Sequence, residues 1–303
     1  MKNVPMISII MNCYNSDAFL KKAIDSVYAQ TFKDWEIIFW DNVSTDNSAL
    51  IAKSYDEKLK YYRAKENTQL GEARNMALKK STGKYICFLD CDDLYLKDKL
   101  LNQYDLMENE DYAMCYGSTT IIDEKGENVR KEVAHYSSGK LFGYLLNRYD
   151  IKMVSVMIRR DILENNNLSF ASQLQYCPDH NLFMEIASRY NVGVLSKFIA
   201  VYRVQANSLS RKTLHLVSKE IKYTLDKISE RDRTIELTYP AELKSAYLKL
   251  NYYDAVNYIY LNKYVEASRL VKKIFKFKWE YRVLYILLYL RVPNKFLLRL
   301  LNR

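Results

Sequence analysis

Glycine is scarce in this sequence of 303 residues: there are only seven glycines, and the first is Gly71. A G-x-G-x-x-G turn after the first strand is therefore impossible, and no pair of glycines fits the G-x-x-x-x-G-K-[ST] pattern. These absences exclude dinucleotide-binding Rossmann enzymes and P-loop NTPases in their usual forms. After Gly193 no glycine occurs for 110 residues, which favours helix in the last third of the chain.

Histidine and paired cysteines are also few. Three histidines argue against a histidine-rich zinc site. The five cysteines are odd in number and show no C-x-x-C spacing, so we interpret them as buried free thiols in a reducing compartment. The first five residues lead straight into a strand without an apolar h-region, so we expect no signal peptide and a cytoplasmic location.

Positive charge is confined to the last third of the chain. The formal net charge is +10, yet residues 1–210 hold 26 basic and 27 acidic residues, whereas residues 211–303 hold 20 basic and 9 acidic residues. This division predicts a near-neutral domain over 1–210 and a basic helical domain over 211–303. It also suggests an anionic surface as a partner of the second domain.

The first 93 residues alternate between strand and helix patterns. Apolar runs predict buried strands at residues 6–11, 35–40 and 85–89, and residues 59–63 are predicted to form a short strand between the last two. Helical spacing between them indicates an α/β fold with a Rossmann-like, mostly parallel sheet flanked by helices. Residues 94–109 are predicted to form a helix, and everything from residue 214 onward is predicted to be helical.

Polar side chains follow each of the four predicted strands. In a parallel α/β sheet, ligands bind beyond the carboxyl ends of the strands. One edge therefore collects several acids and amides, an arginine and a few other polar residues. They are Asn12, Cys13, Tyr14, Asn15, Asp41, Asn42, Lys65, Asn67, Thr68, Arg74, Asp90, Cys91, Asp92 and Asp93. The sequence predicts a ligand site at this edge.

The run Asp90-Cys91-Asp92-Asp93 is the most specific feature of this edge. Three carboxylates within four residues repel one another unless a cation lies among them. Hard divalent ions such as Mg²⁺ take oxygen ligands and bridge to substrate phosphates. An isolated D-x-D is more often a solvated acidic turn, but this triplet ends a buried strand at the predicted ligand edge, which favours a metal.

The chain resembles the family 2 inverting glycosyltransferases of GT-A fold, of bacterial surface-polysaccharide type. Four segments carry the resemblance, which covers roughly residues 5–210: ISIIMNCYN, SVYAQTFKDWEIIFWDNVSTDNS, LGEARNMALKKSTGKYICFLDCDD and YRVQANSLS. The resemblance implies a nucleotide-sugar donor, with a UDP-sugar favoured, and Mg²⁺ or Mn²⁺ as cofactor. It also implies transfer with inversion to a hydroxyl of a glycan or of a lipid-linked glycan.

The resemblance assigns roles to individual residues of the ligand edge. Asp41 matches the acid that hydrogen-bonds the base, and Arg74 looks like the arginine that faces base and diphosphate. Asp90 matches the D-x-D acid on the ribose side, and Asp92 matches the acid that holds the metal, with Asp90 as a further ligand. Nucleotide-sugar contacts are also expected from Asn12, Tyr14, Asn15 and Cys91. Without the resemblance, Arg74 reads as a surface ion pair and Asp41 as a helix cap.

Inversion requires a base that takes the proton of the attacking acceptor hydroxyl. The family places an Asp at a helix start, commonly within E-D-x-D-L, and the matching segment here reads CPDHNL, so Asp179 is the candidate base. Pro178 replaces the usual Glu, and Asn181 replaces the usual second Asp. As an alternative, an Asp after Pro stabilises a helix N-terminus. His180 is a rival candidate for the base, and it is expected with Asp93 on the acceptor side.

The end of the resemblance departs from the family's Y-R-x-H pattern, because the chain reads YRVQ and Gln205 stands where His is usual. Gln205 is a candidate metal ligand that offers only a neutral oxygen, so metal affinity is expected to be lower or water to fill the position. The alternative is an ordinary loop residue. Arg203, Ser208 and Ser210 are candidates for a loop that orders over the diphosphate, and the alternative is that they are exposed, solvated residues.

The C-terminal residues 263–303 hold 11 basic residues and only two acids. The run VLYILLYL at 283–290 is apolar on all sides but too short to span a bilayer, which needs about 20 residues. One interpretation is an interfacial helix on an anionic membrane surface, at the cytoplasmic face of the inner membrane. The other is a helical hairpin that packs on the first domain or on a second subunit, in a homodimer.

Two other functions are left as alternatives. The missing Glu, second Asp and His motivate a non-catalytic nucleotide-sugar-binding remnant, against which the intact acidic triplet and Asp179 argue. The basic tail motivates a nucleic-acid-binding protein. Because residues 1–210 are near neutral and no recognised binding motif accompanies the charge, we expect no nucleic-acid partner.

Overall fold

The computed structural model describes residues 4–205, 212–294, 296 and 297. The chain divides into two compact units, one of Met1–Leu145 with Tyr149–Ala206 and one of Leu146–Arg148 with Asn207–Arg303. The boundary expected at residue 210 lies outside the described residues, as do Ser208 and Ser210. The division into domains 1–210 and 211–303 therefore stays a prediction.

The first unit is built on one nine-stranded sheet. Its strands are β1 (Ile7–Cys13), β2 (Trp35–Asp41), β3 (Leu59–Arg63), β4 (Tyr85–Phe88), β5 (Leu94–Tyr95), β6 (Met114–Ile122), β7 (Asn128–Glu132), β8 (Met157–Arg159) and β9 (Val192–Arg203). The spatial order is β3-β2-β1-β4-β8-β6-β9-β5, and β7 pairs with β6. The β3-β2-β1-β4 half is parallel, and β6 and β9 form a second parallel pair. Because β8 runs antiparallel to β4 and to β6, the sheet is mixed.

Helices flank this sheet. They are α1 (Asp17–Tyr28), α2 (Ser48–Lys53), α3 (Leu70–Leu78), α4 (Lys99–Asn109), α5 (Phe142–Asn147), α6 (Arg160–Asn165) and α7 (Pro178–Ala187). Strands β1 and β2 are almost wholly buried because they lie inside the sheet, which matches their continuous apolar sequences. The prediction of an α/β fold with a mostly parallel, helix-flanked sheet is confirmed.

The four predicted strands are confirmed, with ends that differ by one or two residues. The single helix predicted over 94–109 is wrong at its start, because residues 94 and 95 form β5 and the helix begins at Lys99. Strand β5 pairs with β9, and the Leu96 amide donates to the Ile199 carbonyl oxygen at 2.9 Å. This pairing with a distant strand outweighs the local helical pattern.

The second unit is helical, as the sequence predicts. Its helices are α8 (Val217–Arg231), α9 (Thr234–Thr238), α10 (Pro240–Tyr260), α11 (Tyr264–Ile274) and α12 (Trp279–Tyr289). Pro240 occupies the first turn of α10, where its missing N–H has no helical partner to lose. Apolar side chains of α10, α11 and α12 form one buried cluster. Among the described residues, no helix combines the length and the apolar character needed to cross a bilayer.

Candidate active site

The carboxyl ends of three parallel strands lie side by side. Cys13 at the end of β1 pairs with Asp41 at the end of β2, and Asp41 pairs with Arg63 at the end of β3. Strand β4 lies on the other side of β1 and runs into the acidic residues 90–93. The structure therefore brings the predicted strand-end residues to one edge.

Asp41 is fully buried and accepts three short hydrogen bonds. Its Oδ2 receives the Tyr61 hydroxyl at 2.5 Å and an Arg63 guanidinium N–H at 2.6 Å, and its Oδ1 receives the Ser44 amide at 2.7 Å. Burial by itself raises the pKa of Asp41, but the bonds from Tyr61 and Ser44 and the charge of Arg63 outweigh it and hold that pKa below its usual value. Asp41 is therefore an ionised residue that joins β2, β3 and the loop after β2, and its contact with a base stays a prediction.

The loop after β1 is tied to the loop after β2. Asn15 adopts a left-handed backbone with φ of 49°, and its Oδ1 accepts the Thr45 amide at 2.8 Å. Its own amide donates to the Ser44 hydroxyl at 3.1 Å. Tyr14 beside it is exposed. The Nδ2 of Asn12 is buried and has no hydrogen-bond partner within the described part of the chain, so this strand end presents an available donor.

Cys91, between two of the acids, faces the interior. Its thiol lies 3.3 Å from the main-chain oxygen of Asn12 and forms a hydrogen bond with the thiol of Cys13. All five cysteines are free and buried, which confirms the expectation of unpaired thiols. Any contact of Cys91 with a nucleotide sugar would come from its main chain, because its side chain is enclosed.

Arg74 and Asp90 form an ion pair that joins α3 to the end of β4. The distance from Arg74 Nη2 to Asp90 Oδ1 is 3.0 Å, and the guanidinium lies 5.5 Å from the centre of the Phe170 ring. Arg74 is buried, whereas about two fifths of the Asp90 side chain, 39%, is exposed. Arg74 thus forms an ion pair, as the alternative interpretation expects, but it is a buried residue and not a surface one.

Asp179 lies in the first turn of α7, directly after Pro178. Burial raises the pKa of the Asp179 carboxyl, the nearby Arg74 opposes that shift, and the nearby Asp90 adds to it. Arg74, Asp90 and Asp179 are thus close enough to act on one another, although they come from three separate segments. Amide groups of the first turn also lower this pKa, which is the effect expected of a helix N-terminus.

His180 follows the candidate base and packs on Tyr149, with 4.6 Å between the ring centres. The Tyr149 hydroxyl is buried, and burial together with the neighbouring Asp179 carboxylate raises the pKa of Tyr149 well above its usual value. A neutral phenol therefore lies beside the candidate base. Sequence patterns gave no signal for Tyr149, because it sits in a segment outside the resemblance's motifs.

Asp92 and Gln205 are joined directly. The Gln205 Nε2 donates to the Asp92 Oδ2 at 2.5 Å, although 113 positions separate the two residues. Burial and the charge of Asp90 raise the pKa of Asp92, and the bond from Gln205 lowers it. Gln205 therefore belongs to the acidic site, as a partner of the acid assigned to the metal.

Asp93 faces the end of β9 and is buried. Its carboxylate accepts the Arg203 amide at 2.8 Å, while the Arg203 Nε donates to the Asp92 main-chain oxygen at 2.9 Å. Burial and the charges of Asp92 and Asp90 raise the pKa of Asp93 well above its usual value. Arg203 is thus a buried residue that fixes the main chain of the acidic run, rather than part of an exposed loop.

The acidic run suits a hard divalent cation in its chemistry, because carboxylate and carboxamide oxygens are the donors that such ions take. Within the residues that the structure describes, however, no three Asp, Glu, His or Cys side chains gather closely enough to hold a metal by themselves. Asp92 and Asp90 would supply one or two carboxylates, with phosphate oxygens and water completing the coordination. This is the usual arrangement for Mg²⁺ bound together with a phosphorylated substrate.

Comparison with known proteins identifies the family. A family model described as glycosyl transferase family 2 matches residues 8–172. An uncharacterized glycosyltransferase of Methanocaldococcus jannaschii is 31% identical over 218 residues, which are 68% of this chain and 74% of the relative. The UDP-Glc:alpha-D-GlcNAc-diphosphoundecaprenol beta-1,3-glucosyltransferase WfgD of Escherichia coli is 28% identical over 231 residues, 74% of this chain and 86% of the relative. By contrast, this chain spans about a third, 33%, of the length of an uncharacterized glycosyltransferase of Rickettsia felis that is 31% identical over 204 residues, 67% of this chain.

Solved structures of glycosyltransferases share the fold. S. aureus TarS 1–349 in complex with UDP-GlcNAc superposes with a TM-score of 0.59 at 18% identity, over 88% of this chain and 83% of that one. The mannosyltransferase PcManGT of Pyrobaculum calidifontis, in complex with GDP-Man and Mn²⁺, gives a TM-score of 0.62 at 14% identity, over 97% of this chain and 87% of that one. At these identities the likeness concerns the fold alone. With the family match over more than half of its length, the chain belongs to glycosyl transferase family 2 and has a GT-A fold.

Proposed function

We propose that this glycosyltransferase moves a sugar from a nucleoside-diphosphate sugar, with UDP as the favoured nucleotide, to a hydroxyl of a glycan or lipid-linked glycan, with inversion at the anomeric carbon. The observation that carries the proposal is that Arg74 and Asp90, which form an ion pair beside the end of β4, both act electrostatically on the Asp179 carboxyl. A base, an arginine and an acidic run are the groups that this transfer needs.

In the proposed reaction the acceptor oxygen bonds to the anomeric carbon while the bond from that carbon to the diphosphate oxygen breaks. The acceptor proton passes to Asp179, and the electron pair of the broken bond leaves on the nucleoside diphosphate. The raised pKa of Asp179 suits it for this role, because a base works best when its pKa approaches the working pH. Arg74 stabilises the negative charge that develops on the leaving group, and a bound divalent cation supplies the same stabilisation.

The donor site is proposed at the ends of β1, β2 and β4. Asn12 offers a buried amide donor there, and Asp41 is held ionised at the end of β2. Tyr14, Asn15 and the Cys91 main chain line the neighbouring loops in this proposal. His180 and Asp93 are assigned to the acceptor side, His180 through its place beside Asp179 in the sequence.

A lipid-linked glycan acceptor is proposed by analogy with the Escherichia coli relative, whose name specifies GlcNAc-diphosphoundecaprenol as acceptor and UDP-Glc as donor. A relative from Bacillus subtilis, 31% identical over 160 residues, is called a putative teichuronic acid biosynthesis glycosyltransferase. On the strength of these two relatives, we propose surface-polysaccharide synthesis at the cytoplasmic face of the membrane for this chain.

A donor and acceptor screen tests the proposal. The full chain is incubated with UDP-Glc, UDP-Gal, UDP-GlcNAc or GDP-Man, with Mn²⁺ or Mg²⁺, and with GlcNAc-diphosphoundecaprenol as acceptor, and release of the nucleoside diphosphate is measured. We expect turnover with a UDP-sugar that stops when EDTA is added. Proton NMR of the product should show a β-linkage from an α-configured donor.

Failure of the screen would separate the alternatives. If no nucleotide sugar turns over, while nucleotide binding persists unchanged in Asp179→Asn, the protein is a nucleotide-sugar-binding remnant. An α-linked product would contradict inversion and the role of Asp179 as base. Salt-sensitive binding to RNA or DNA at nanomolar concentration would support the nucleic-acid alternative instead.

A further inference from the structure

Helix α12 of the second unit is apolar on two opposite faces. On one face Tyr281, Leu284 and Leu288 are buried and belong to the cluster that joins α10, α11 and α12. Through this face the apolar run packs within the helical unit. Packing accounts for only one of the two apolar faces of α12, so the other face requires a different explanation.

The opposite face carries a row of exposed apolar side chains. Trp279, Val283, Ile286 and Leu290 are 68%, 42%, 55% and 64% exposed. Their spacing of four, three and four residues places them along one side of a helix. Single exposed apolar residues are ordinary on protein surfaces, but a contiguous row marks an interaction site. We call these four residues the apolar row.

Exposed basic residues lie close to the apolar row in the sequence. Six exposed basic residues occur between positions 272 and 291, namely Lys272, Lys273, Lys276, Lys278, Arg282 and Arg291. The only acid in this stretch is Glu280, so its net charge is +5. Arg282 is fixed on the helix surface by a hydrogen bond from its Nε to the Phe275 carbonyl oxygen at 3.3 Å. The partner of this face must therefore be apolar in its interior and negatively charged at its surface.

A second copy of the chain fits this requirement poorly. A two-fold dimer brings the same patch of both subunits together, so each apolar row would meet the other with its +5 charge. Nucleic acid supplies the negative charge but no apolar layer for the row. An anionic lipid bilayer supplies both, with phosphates at the level of the basic side chains and acyl chains beneath them.

We propose that α12 lies on an anionic membrane surface, with the apolar row in the boundary between headgroups and acyl chains and the surrounding Lys and Arg side chains on lipid phosphates. The helix has 11 residues and is therefore about 16 Å long, about half of the bilayer's hydrocarbon thickness, so it lies along the surface. Trp279 lies at the N-terminal end of α12, and tryptophan favours the headgroup level of a bilayer.

Vesicle binding tests the proposal without donor or acceptor, so its outcome does not depend on the proposed sugar transfer. The full chain is sedimented with vesicles of phosphatidylglycerol and phosphatidylcholine in equal amounts, and with vesicles of phosphatidylcholine alone. We expect binding to the mixed vesicles at 0.1 M salt and at least about tenfold weaker binding to the neutral ones, since each basic side chain near the surface favours the anionic lipid.

Two matched variants locate the binding face. Ile286→Asp places a charge in the centre of the apolar row and should weaken vesicle binding at least about tenfold, because burying a charge at the lipid boundary is costly. Leu237→Asp is the control, since Leu237 lies on α9 and is 84% exposed but outside the row. Binding of this control should stay within about twofold of the wild type, as a surface change away from the contact has little effect.

Tryptophan fluorescence gives an independent readout. Of the three tryptophans, Trp35 and Trp40 are buried at 3% and 7% exposure, so Trp279 reports on the surface of α12. Its emission should shift to shorter wavelength on mixed vesicles and be quenched by brominated acyl chains. Trp279→Phe should remove both signals while sedimentation persists.

Three results would overturn the proposal. The first is absence of binding to the mixed vesicles, and the second is equal binding of Ile286→Asp and wild type. The third is a change in the oligomeric state of Ile286→Asp by light scattering without any loss of vesicle binding, which would assign the apolar row to a second copy. Circular dichroism of each variant checks that the helical content of the chain is unchanged.

Discussion

The side-chain amide of Gln205 donates a hydrogen bond to the Asp92 carboxylate, with 2.5 Å between Nε2 and Oδ2. Gln205 stands where the family often has a histidine that completes the metal coordination. In this structure its nitrogen faces the acid assigned to the metal. The bond lowers the pKa of Asp92 against the effects of burial and of Asp90. Gln205 therefore orients Asp92 and supports its ionised form.

Replacing Gln205 should change the response to metal. In Gln205→Leu, which keeps the size but loses the hydrogen bond, we expect the Mn²⁺ concentration for half-maximal turnover to rise about tenfold, the effect typical of lost partners of metal ligands. In Gln205→His, a nitrogen ligand replaces the amide, and the same concentration should fall. Titration of turnover with Mn²⁺ measures both.

The outcome separates a role of Gln205 at the metal site from that of an ordinary loop residue. If both variants respond to Mn²⁺ as the wild type does, Gln205 is an ordinary loop residue. Lys197→Leu provides a control for general damage, because Lys197 is an exposed residue of β9 that bonds only to Asn102 among the residues described.

Asp179→Asn tests the candidate base. Removing a general base typically costs about 10²- to 10⁴-fold in rate, so transfer should fall by about that factor while the affinity for UDP changes little. Because burial raises the pKa of Asp179, its carboxyl takes up a proton at a higher pH than an ordinary aspartate. Wild-type activity should therefore decline on the acid side at a pH above the usual value for aspartate. Initial rates between pH 4 and pH 8 measure this limb.

Asp161→Asn is the matched control for Asp179, because Asp161 is an exposed acid in the first turn of α6. An acid in a first turn stabilises its helix by about 0.3 to 1 kcal/mol, and this control should lose only that. If both variants lose the same small amount of stability and retain their activity, Asp179 only stabilises its helix.

Asp41→Asn should destabilise the first unit. The substitution removes the charge that Arg63 and Tyr61 contact in a fully buried position, and hydrogen bonds to charged groups contribute about 1.5 to 3 kcal/mol. Because the pKa of Asp41 is lowered in the folded state, its contribution is present above the unfolded pKa and is lost as the pH falls through the folded value. Urea unfolding at pH 7 and at pH 3 measures the difference.

The exposed Asp34, which precedes β2, provides the control, and Asp34→Asn should leave the free energy of unfolding within about 0.5 kcal/mol. A destabilisation by Asp41→Asn that is equally large at pH 3 would contradict the assigned ionisation. If stability is unchanged at pH 7 while UDP affinity falls, Asp41 acts on the nucleotide alone.

Some of these contacts can be predicted from the sequence. The sequence predicts the strands β2 and β3, and a parallel register brings Arg63 beside Asp41, so this ion pair is predictable in principle. The contact of Gln205 with Asp92 is not, because the path of β9 beside β5 and β6 depends on tertiary pairing. Helical periodicity likewise failed at Leu94 and Tyr95, where pairing with β9 prevails.

The environment of Lys99 could not be predicted from the sequence either. A lysine at a helix start is normally exposed, yet the Lys99 side chain is fully buried. Its Nζ donates to the Gln103 Oε1 at 2.5 Å, lies 3.8 Å from the Cys87 thiol and stands 4.1 Å from the centre of the Tyr95 ring. Burial lowers the pKa of Lys99, and among the described residues no carboxylate forms an ion pair with it.

Lys99 should therefore make the stability of the protein rise with pH. Below about pH 10.4 the unfolded chain holds the lysine proton more tightly than the folded protein does, so stability increases as the pH rises from the lowered pKa, by at most about 1.4 kcal/mol per pH unit. Urea unfolding of the wild type and of Lys99→Met between pH 6 and pH 9.5 measures this dependence. The free energy of unfolding of the wild type should increase relative to that of the variant as the pH rises. Lys97→Met, at an exposed neighbouring position, should show the same dependence of stability on pH as the wild type. Parallel curves for Lys99→Met as well would mean that Lys99 keeps an ordinary pKa through water that reaches its ammonium group.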